Sequence, residues 1–336
     1  MTRSRIVVFV SMLVVGVGAV AAVGALYLDP ARAAVGPLPA EALALPGDTR
    51  FVMGLDVKRF VASPFYARFA EKQGQARPDA FRELEEKLGL NPERDLDRVV
   101  IAGRDASGKG KESGVALVTG RFDRYKLGRV AEQKPGVTTK NHQGTSMYVY
   151  DEEGKAATAV AFLDDDTLAI GSQRSVEAVI ENRASGSGGL RANAPLMSLL
   201  ETVKPGSTFW MAGDQALLSR MPQIVPGPGG SGVGMQVPAL RSLIVTGDLD
   251  PMVALQITGE AADPAAAQNL ADIVRGLVAM ASLQAQQKPE LKQLVSAVSV
   301  TTEAHRVHVN ARFPYTLLDT LQPKRAGSAT LAPAGK

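Results

Sequence analysis

Gly103, Gly108 and Lys109 stand at the spacing of G-x-x-x-x-G-K, the loop whose glycines aim backbone N–H groups at nucleotide phosphates. The residues after Lys109 do not suit that chemistry. Gly110 occupies the place of the Ser or Thr that would hold magnesium, and the next stretch, "GVALVTG", alternates as a strand where a phosphate loop must open a helix. A second copy of the same neighbourhood has only the short turn "GDLDP" (247–251) between its matching strands. The lysine-rich stretch therefore reads as an elongated hairpin loop, and no nucleotide or other cofactor is expected.

The remaining constellations read as structure. "GPGGSG" (227–232) satisfies G-x-G-x-x-G, but its prolines and glycines leave neither a strand before it nor a helix after it, so a flexible loop is expected. His305 and His308 form H-x-x-H within a stretch that alternates as a strand, which places the two rings on opposite faces, unable to share a metal. His142 lies in a loop. Asp164, Asp165 and Asp166 are consecutive rather than alternating, so a tight turn is expected in place of a calcium loop. Asp56 and Asp214 close two similar strands and are expected to turn the chain or cap a helix. Phe60, Phe65, Tyr66 and Phe69 read as core packing. No catalytic, cofactor-binding or metal-ligating residue is assigned, and the chain is not expected to be an enzyme. The alternative is a hydrolase with its site between two halves.

The elements around these residues are more informative. Arg3 and Arg5 precede Ile6–Leu28, a run without charge. Its 23 residues span roughly 34 Å as a helix, enough for a hydrocarbon core of about 30 Å. The flanking arginines place the N-terminus in the cytoplasm, so residues 1–5 form a cytoplasmic stub and the folded part lies outside the inner membrane, periplasmic or extracellular. The alternative is secretion after cleavage near Ala33. Beyond Arg3 and Arg5, 35 basic residues face 34 acidic ones, which does not suit a nucleic-acid binder. The chain contains no cysteine, which excludes disulfides, thiolate metal sites and a cysteine nucleophile.

The chain also repeats itself. "PGDTRFVMGLD" (46–56) matches "PGSTFWMAGD" (205–214), "RVVIAG" (98–103) matches "RSLIVTG" (241–247), and "GVALVTGRFD" (114–123) matches "MVALQITGEAAD" (252–263). Helical periods lie between the strands: Ser63-Pro64 opens one, Phe81, Leu84 and Leu88 mark a second, Ser172 caps a third, and Asp263-Pro264 starts a long one with Leu270, Ile273, Val274, Leu277 and Ala281 on one face. The expected fold is α+β: a transmembrane helix at 6–28, a spacer at 29–45, a first half at 46–183, a linker at 184–194 and a second half at 195–322. The chain is expected to end in a disordered tail, 323–336. Each half is expected to be an antiparallel sheet with helices on one face.

"LPGDT" (45–49) before the first strand and "SPFYARF" (63–69) opening a helix resemble a group of uncharacterised bacterial single-pass envelope proteins, over residues 40 to 320. The resemblance implies an architecture and carries no activity. The expected partners are the membrane, through Ile6–Leu28, and an envelope protein or polymer. The expected role is that of a membrane-anchored extracytoplasmic binding or structural module.

Overall fold

The computed structural model describes residues 39–72, 79–104, 114–151, 156–203, 206–215, 224–225, 235–236, 239–285, 289–315 and 317. The expected transmembrane run Ile6–Leu28, the Gly108-Lys109 loop, the Gly227–Gly232 loop and the tail 323–336 lie outside them. Among the described residues no helix is long and apolar enough to cross a membrane.

The described residues hold fourteen strands. Strand β1 (Thr49–Asp56) is followed by helices α1 (Val57–Ala62), α2 (Pro64–Lys72), α3 (Asp79–Leu88) and α4 (Pro92–Asp95). Then come β2 (Leu96–Arg104), β3 (Gly114–Gly120), α5 (Arg124–Glu132), and the meander β4 (Val137–His142), β5 (Thr145–Tyr150), β6 (Thr158–Phe162) and β7 (Thr167–Ser172). Helices α6 (Gln173–Ser185) and α7 (Ala194–Glu201) lead to β8 (Phe209–Asp214). The short pair β9 (Ile224–Val225) and β10 (Met235–Gln236) precedes β11 (Leu240–Asp248) and β12 (Val253–Ala261). Helices α8 (Pro264–Ala285) and α9 (Pro289–Ser296) and strands β13 (Val298–Glu303) and β14 (Arg306–Phe313) complete the order. Short polar side chains set the helix starts: Asp56, Asp123, Ser172 and Asn193 each accept a backbone N–H from the first turn of the adjoining helix.

Twelve strands form one antiparallel sheet in the order β13-β14-β12-β11-β8-β1-β2-β3-β7-β6-β5-β4. The two halves are thus not separate bodies. They meet where β1 pairs with β8, with Met53 directly opposite Met211 and Phe51 opposite Gly213. The matched segments align Phe51 with Phe209 and Met53 with Met211, so a pseudo-twofold axis passes between the two methionines. On either side the same device recurs: Phe51 lies across Gly103 of β2, and Phe209 lies across Gly247 of β11. The third sequence match does not share this register. Ala116 faces Ile101 and Ile257 faces Val245, so Ala116 corresponds to Ile257 and not to Ala254.

Helices cover both faces of the sheet, where one was expected. On one face α1 to α4 bury Phe60, Phe65, Phe81, Leu84 and Leu88 against Leu55, Val99 and Val118. Further along the same face α8 packs Ala267, Leu270 and Ala271 on Ala261 and Val307. On the opposite face α6 and α7 set Val176, Val179, Ile180, Leu196 and Leu200 against Val52, Val100, Leu117 and Trp210. The reason is that the strands of the first half are apolar on both sides, with Val99 and Val100 both fully buried. Within residues 184–194, read as a linker, α6 runs through Ser185, Leu190 is 0% exposed, and the Asn193 amide donates to the carbonyls of Gly47 and Thr49, while Ala184–Gly188 are exposed. The end of the expected spacer is packed as well, through buried Ala42, Ala44 and Leu45 and the Glu41–Arg98 ion pair.

Candidate functional site

The ionisable groups singled out in the sequence are engaged in holding the fold. Asp164, Asp165 and Asp166 form the turn between β6 and β7, as expected. Arg183 of α6 binds Asp164, and Arg124 of α5 donates to Asp165 at 2.6 Å, so the turn is held by a helix from each face of the sheet. Burial opposes the charge on Asp164, but hydrogen bonds from Asp166, Arg183 and Thr167 outweigh it and hold its carboxyl at about 2. Asp166 moves the other way, because its side chain shares a hydrogen bond with Asp164. For Asp164 the folded value lies below the ordinary 3.8, so its contribution to stability is present above that pH and is lost as pH falls through about 2. Arg183→Ala is therefore expected to move the Asp164 titration up toward 3.8 and to raise the midpoint of acid unfolding. Carboxyl carbon NMR of the variant reads this directly, and an unmoved titration refutes the assignment.

The histidines do not converge on one centre. His142 pairs with Glu181 of α6 at 2.9 Å. His305 sits in the β13–β14 turn beside Ala304, whose φ is 50°, rather than in the strand. Strand alternation therefore does not orient His305, and its ring reaches Glu260 at 3.5 Å. Glu260 also accepts from Ser242. On β14, His308 places Nδ1 3.0 Å from the Thr258 hydroxyl, and its buried Nε2 has no hydrogen-bond partner among the described residues. The opposite placement expected from strand alternation thus does not apply, because Ala304 and His305 form the turn and the strand begins at Arg306. Among the described residues no group of three His, Cys, Asp or Glu side chains could hold a metal ion.

Asp56 caps α1 by accepting from the Arg59 N–H at 2.9 Å, and Asp214 pairs across the junction with Arg50 at 3.1 Å. Phe60 and Phe65 lie tilted in the core and Tyr66 packs edge-on against Phe60 at its margin, as expected of core packing, while the Phe69 side chain lies outside the described residues. The Gly108-Lys109 stretch connects β2 to β3, which pair antiparallel from Gly103 opposite Gly114. It therefore joins two strands and does not lead into a helix.

What the sheet does gather is an apolar strip around the pseudo-twofold axis. Ile101, Met53, Met211, Val245, Ile257 and Val309 face one another in turn across β2, β1, β8, β11, β12 and β14, all half-buried. Phe51 and Leu243 lie beside this row. Phe51, Met53, Met211 and Leu243 belong to none of the three buried clusters.

The internal symmetry sets these half-buried positions beside buried equivalents in the first half. Val99 and Leu243 occupy equivalent positions, as do Ala116 and Ile257; Val99 is 2% and Ala116 9% exposed, whereas Leu243 and Ile257 are half-buried. In the first half four helices come after β1 and cover these positions. After β8 the described residues are helical Gln215, the two-residue strands β9 and β10, and Ala239 before β11 begins. Sequence reasoning missed this strip, although the recurring F-x-M of "FVM" (51–53) and "FWM" (209–211) was the signal for it. Pairing the two copies as antiparallel neighbours sets those methionines face to face.

The class defined by fold and surface is an α+β protein with one twelve-stranded antiparallel sheet, helices on both faces, and a half-buried apolar strip at its centre. No family model matches the chain, and no curated protein sequence matches it. Among solved structures it is similar to the Treponema protein TP0453 in two crystal forms. Form IV aligns with a TM-score of 0.45 and 9% identity over 86% of this chain and 98% of that one. Form I gives a TM-score of 0.45 and 9% identity over 86% and 96%. That likeness assigns neither a family nor an activity.

Proposed function

We propose that this chain is a binding module and not an enzyme, tethered to the cytoplasmic membrane by Ile6–Leu28 with its folded part outside. The carrying observation is the half-buried apolar strip, at whose middle Phe51, Met53, Met211 and Leu243 belong to no buried cluster, while Asp56, Asp164, Asp165, Asp214 and His142 are spent on caps and ion pairs. Half-buried apolar area at the middle of a wide sheet is the kind of surface that gains from association. The charge asymmetry of Arg3 and Arg5 around an uncharged run supports the orientation.

Photo-crosslinking in intact bacterial cells tests this reading. With p-benzoylphenylalanine at Leu243, the full chain is expected to give a covalent adduct that the same group at exposed Ala262 does not give. No adduct at position 243 overturns the binding role. Orientation is read separately. Because the chain lacks cysteine, Ala262→Cys supplies a single thiol, expected to react with a membrane-impermeant maleimide in spheroplasts before lysis. Reaction only after lysis overturns the outward placement.

A further inference from the structure

We propose that the apolar strip takes one extended acyl chain of a membrane lipid, an inference that rests on the binding role above. The floor is made of Phe51, Met53, Met211, Leu243, Val245 and Ile257, with no charged side chain among them. A ligand seated there meets hydrocarbon and thioether only. Methionine is unbranched and polarisable, so the pair at the axis conforms to a flexible chain better than branched side chains would.

The dimensions agree. From Ile101 on β2 to Val309 on β14 the strip crosses six adjacent strands, about 24 Å at roughly 4.8 Å per step. An acyl chain reaches about half of a hydrocarbon core of roughly 30 Å, or about 15 Å. One extended chain therefore covers about three steps, which the four strands from Met53 to Ile257 provide.

The tether selects the source of the ligand. Residues 29–39 separate Leu28 from the 3₁₀ turn Ala40–Ala44. Fully extended, that spacer reaches no more than about 38 Å. The strip is thereby held near a bilayer throughout the life of the protein, and lipid is the apolar molecule at the highest local concentration.

The test uses the full chain in nanodiscs of phosphatidylcholine and phosphatidylglycerol, carrying Met211→Cys labelled with bimane as its one thiol. Replacing part of the phosphatidylcholine by its 16-doxyl form is expected to quench this bimane at least twofold more than bimane on Ala262→Cys. Near-ultraviolet circular dichroism of both labelled chains establishes that they are folded. Equal quenching at the two positions overturns the acyl-chain assignment. So does a Leu243 adduct that maps to a protein segment or a glycan, which leaves the binding role standing. An adduct confined to residues 216–239 of the same chain overturns both, as does the absence of any adduct.

Discussion

Replacing Gly247 by valine lowers the stability of the folded chain by about 2–3 kcal/mol, and replacing Gly103 does the same. The two positions are twins. A Cβ on Gly247 would stand 2.0 Å from Cζ of Phe209, and one on Gly103 would stand 1.8 Å from Cε1 of Phe51. No rotamer change at the glycine relieves either clash, because the Cβ position is set by the backbone of a paired strand. Each ring has to leave its place over the neighbouring strand, and with it goes an aromatic contact that pins the register. The sole tryptophan, Trp210, lies buried on β8 beside these pairs and reports unfolding by its fluorescence. A double-mutant cycle isolates the contact: with Phe209→Leu already present, Gly247→Val should cost at least about 1 kcal/mol less. Additive effects would show that Phe209 and Gly247 are not partners, and the twofold reading of the sheet would lose its strongest support.

These pairs also show what the sequence made legible and what it did not. Helix starts were readable because each depends on one or two adjacent residues: Ser63 before Pro64 and Ser172 before α6. The meander β5–β6–β7 was readable because short alternating runs are joined by tight turns. The placement of α6 was not, since Val176, Val179 and Ile180 mark an apolar stripe without saying which sheet face receives it. Repeat detection gave the number of copies but not their relation. "VALVT" and "VALQIT" look equivalent by letter, yet cross-strand pairing offsets them, because the register is set by the hairpins and by the bulges at Leu96 and Leu240. His305 was misplaced for a related reason: alternation was carried one residue too far into a turn. The apolar strip needed the relation between copies, and no single segment contains it.

Ala212→Pro is expected to abolish the folded state of the whole chain, not of its second half alone. Ala212 is 0% exposed at the centre of β8, opposite Val52 of β1 on one side and Ile244 of β11 on the other. Every N–H of a strand flanked on both sides is given to one neighbour or the other, so proline removes a ladder bond and drives its ring into the next strand. The direct loss includes the ladder hydrogen bond and the buried carbonyl left without its donor, about 1–3 kcal/mol. The larger effect comes from position. Strand β8 carries the only sheet pairing between the halves among the described residues, and Trp210 on the same strand closes over Gly54 of β1 and joins the cluster under α6 and α7. The core on the other face is shared too: Phe65 of α2 packs on Tyr315, and the Tyr315 hydroxyl donates to the carbonyl of Leu249. The two halves are therefore expected to unfold together. The unmutated protein should show a single transition by Trp210 fluorescence and by far-ultraviolet circular dichroism, with coincident midpoints. In Ala212→Pro, hydrogen exchange should be fast at β2 and β3 as well as at β11 and β12. Protection retained in β2 and β3 alone would mean that the first half stands by itself, and the junction at Met53 and Met211 would then be a contact between two domains instead of the middle of one.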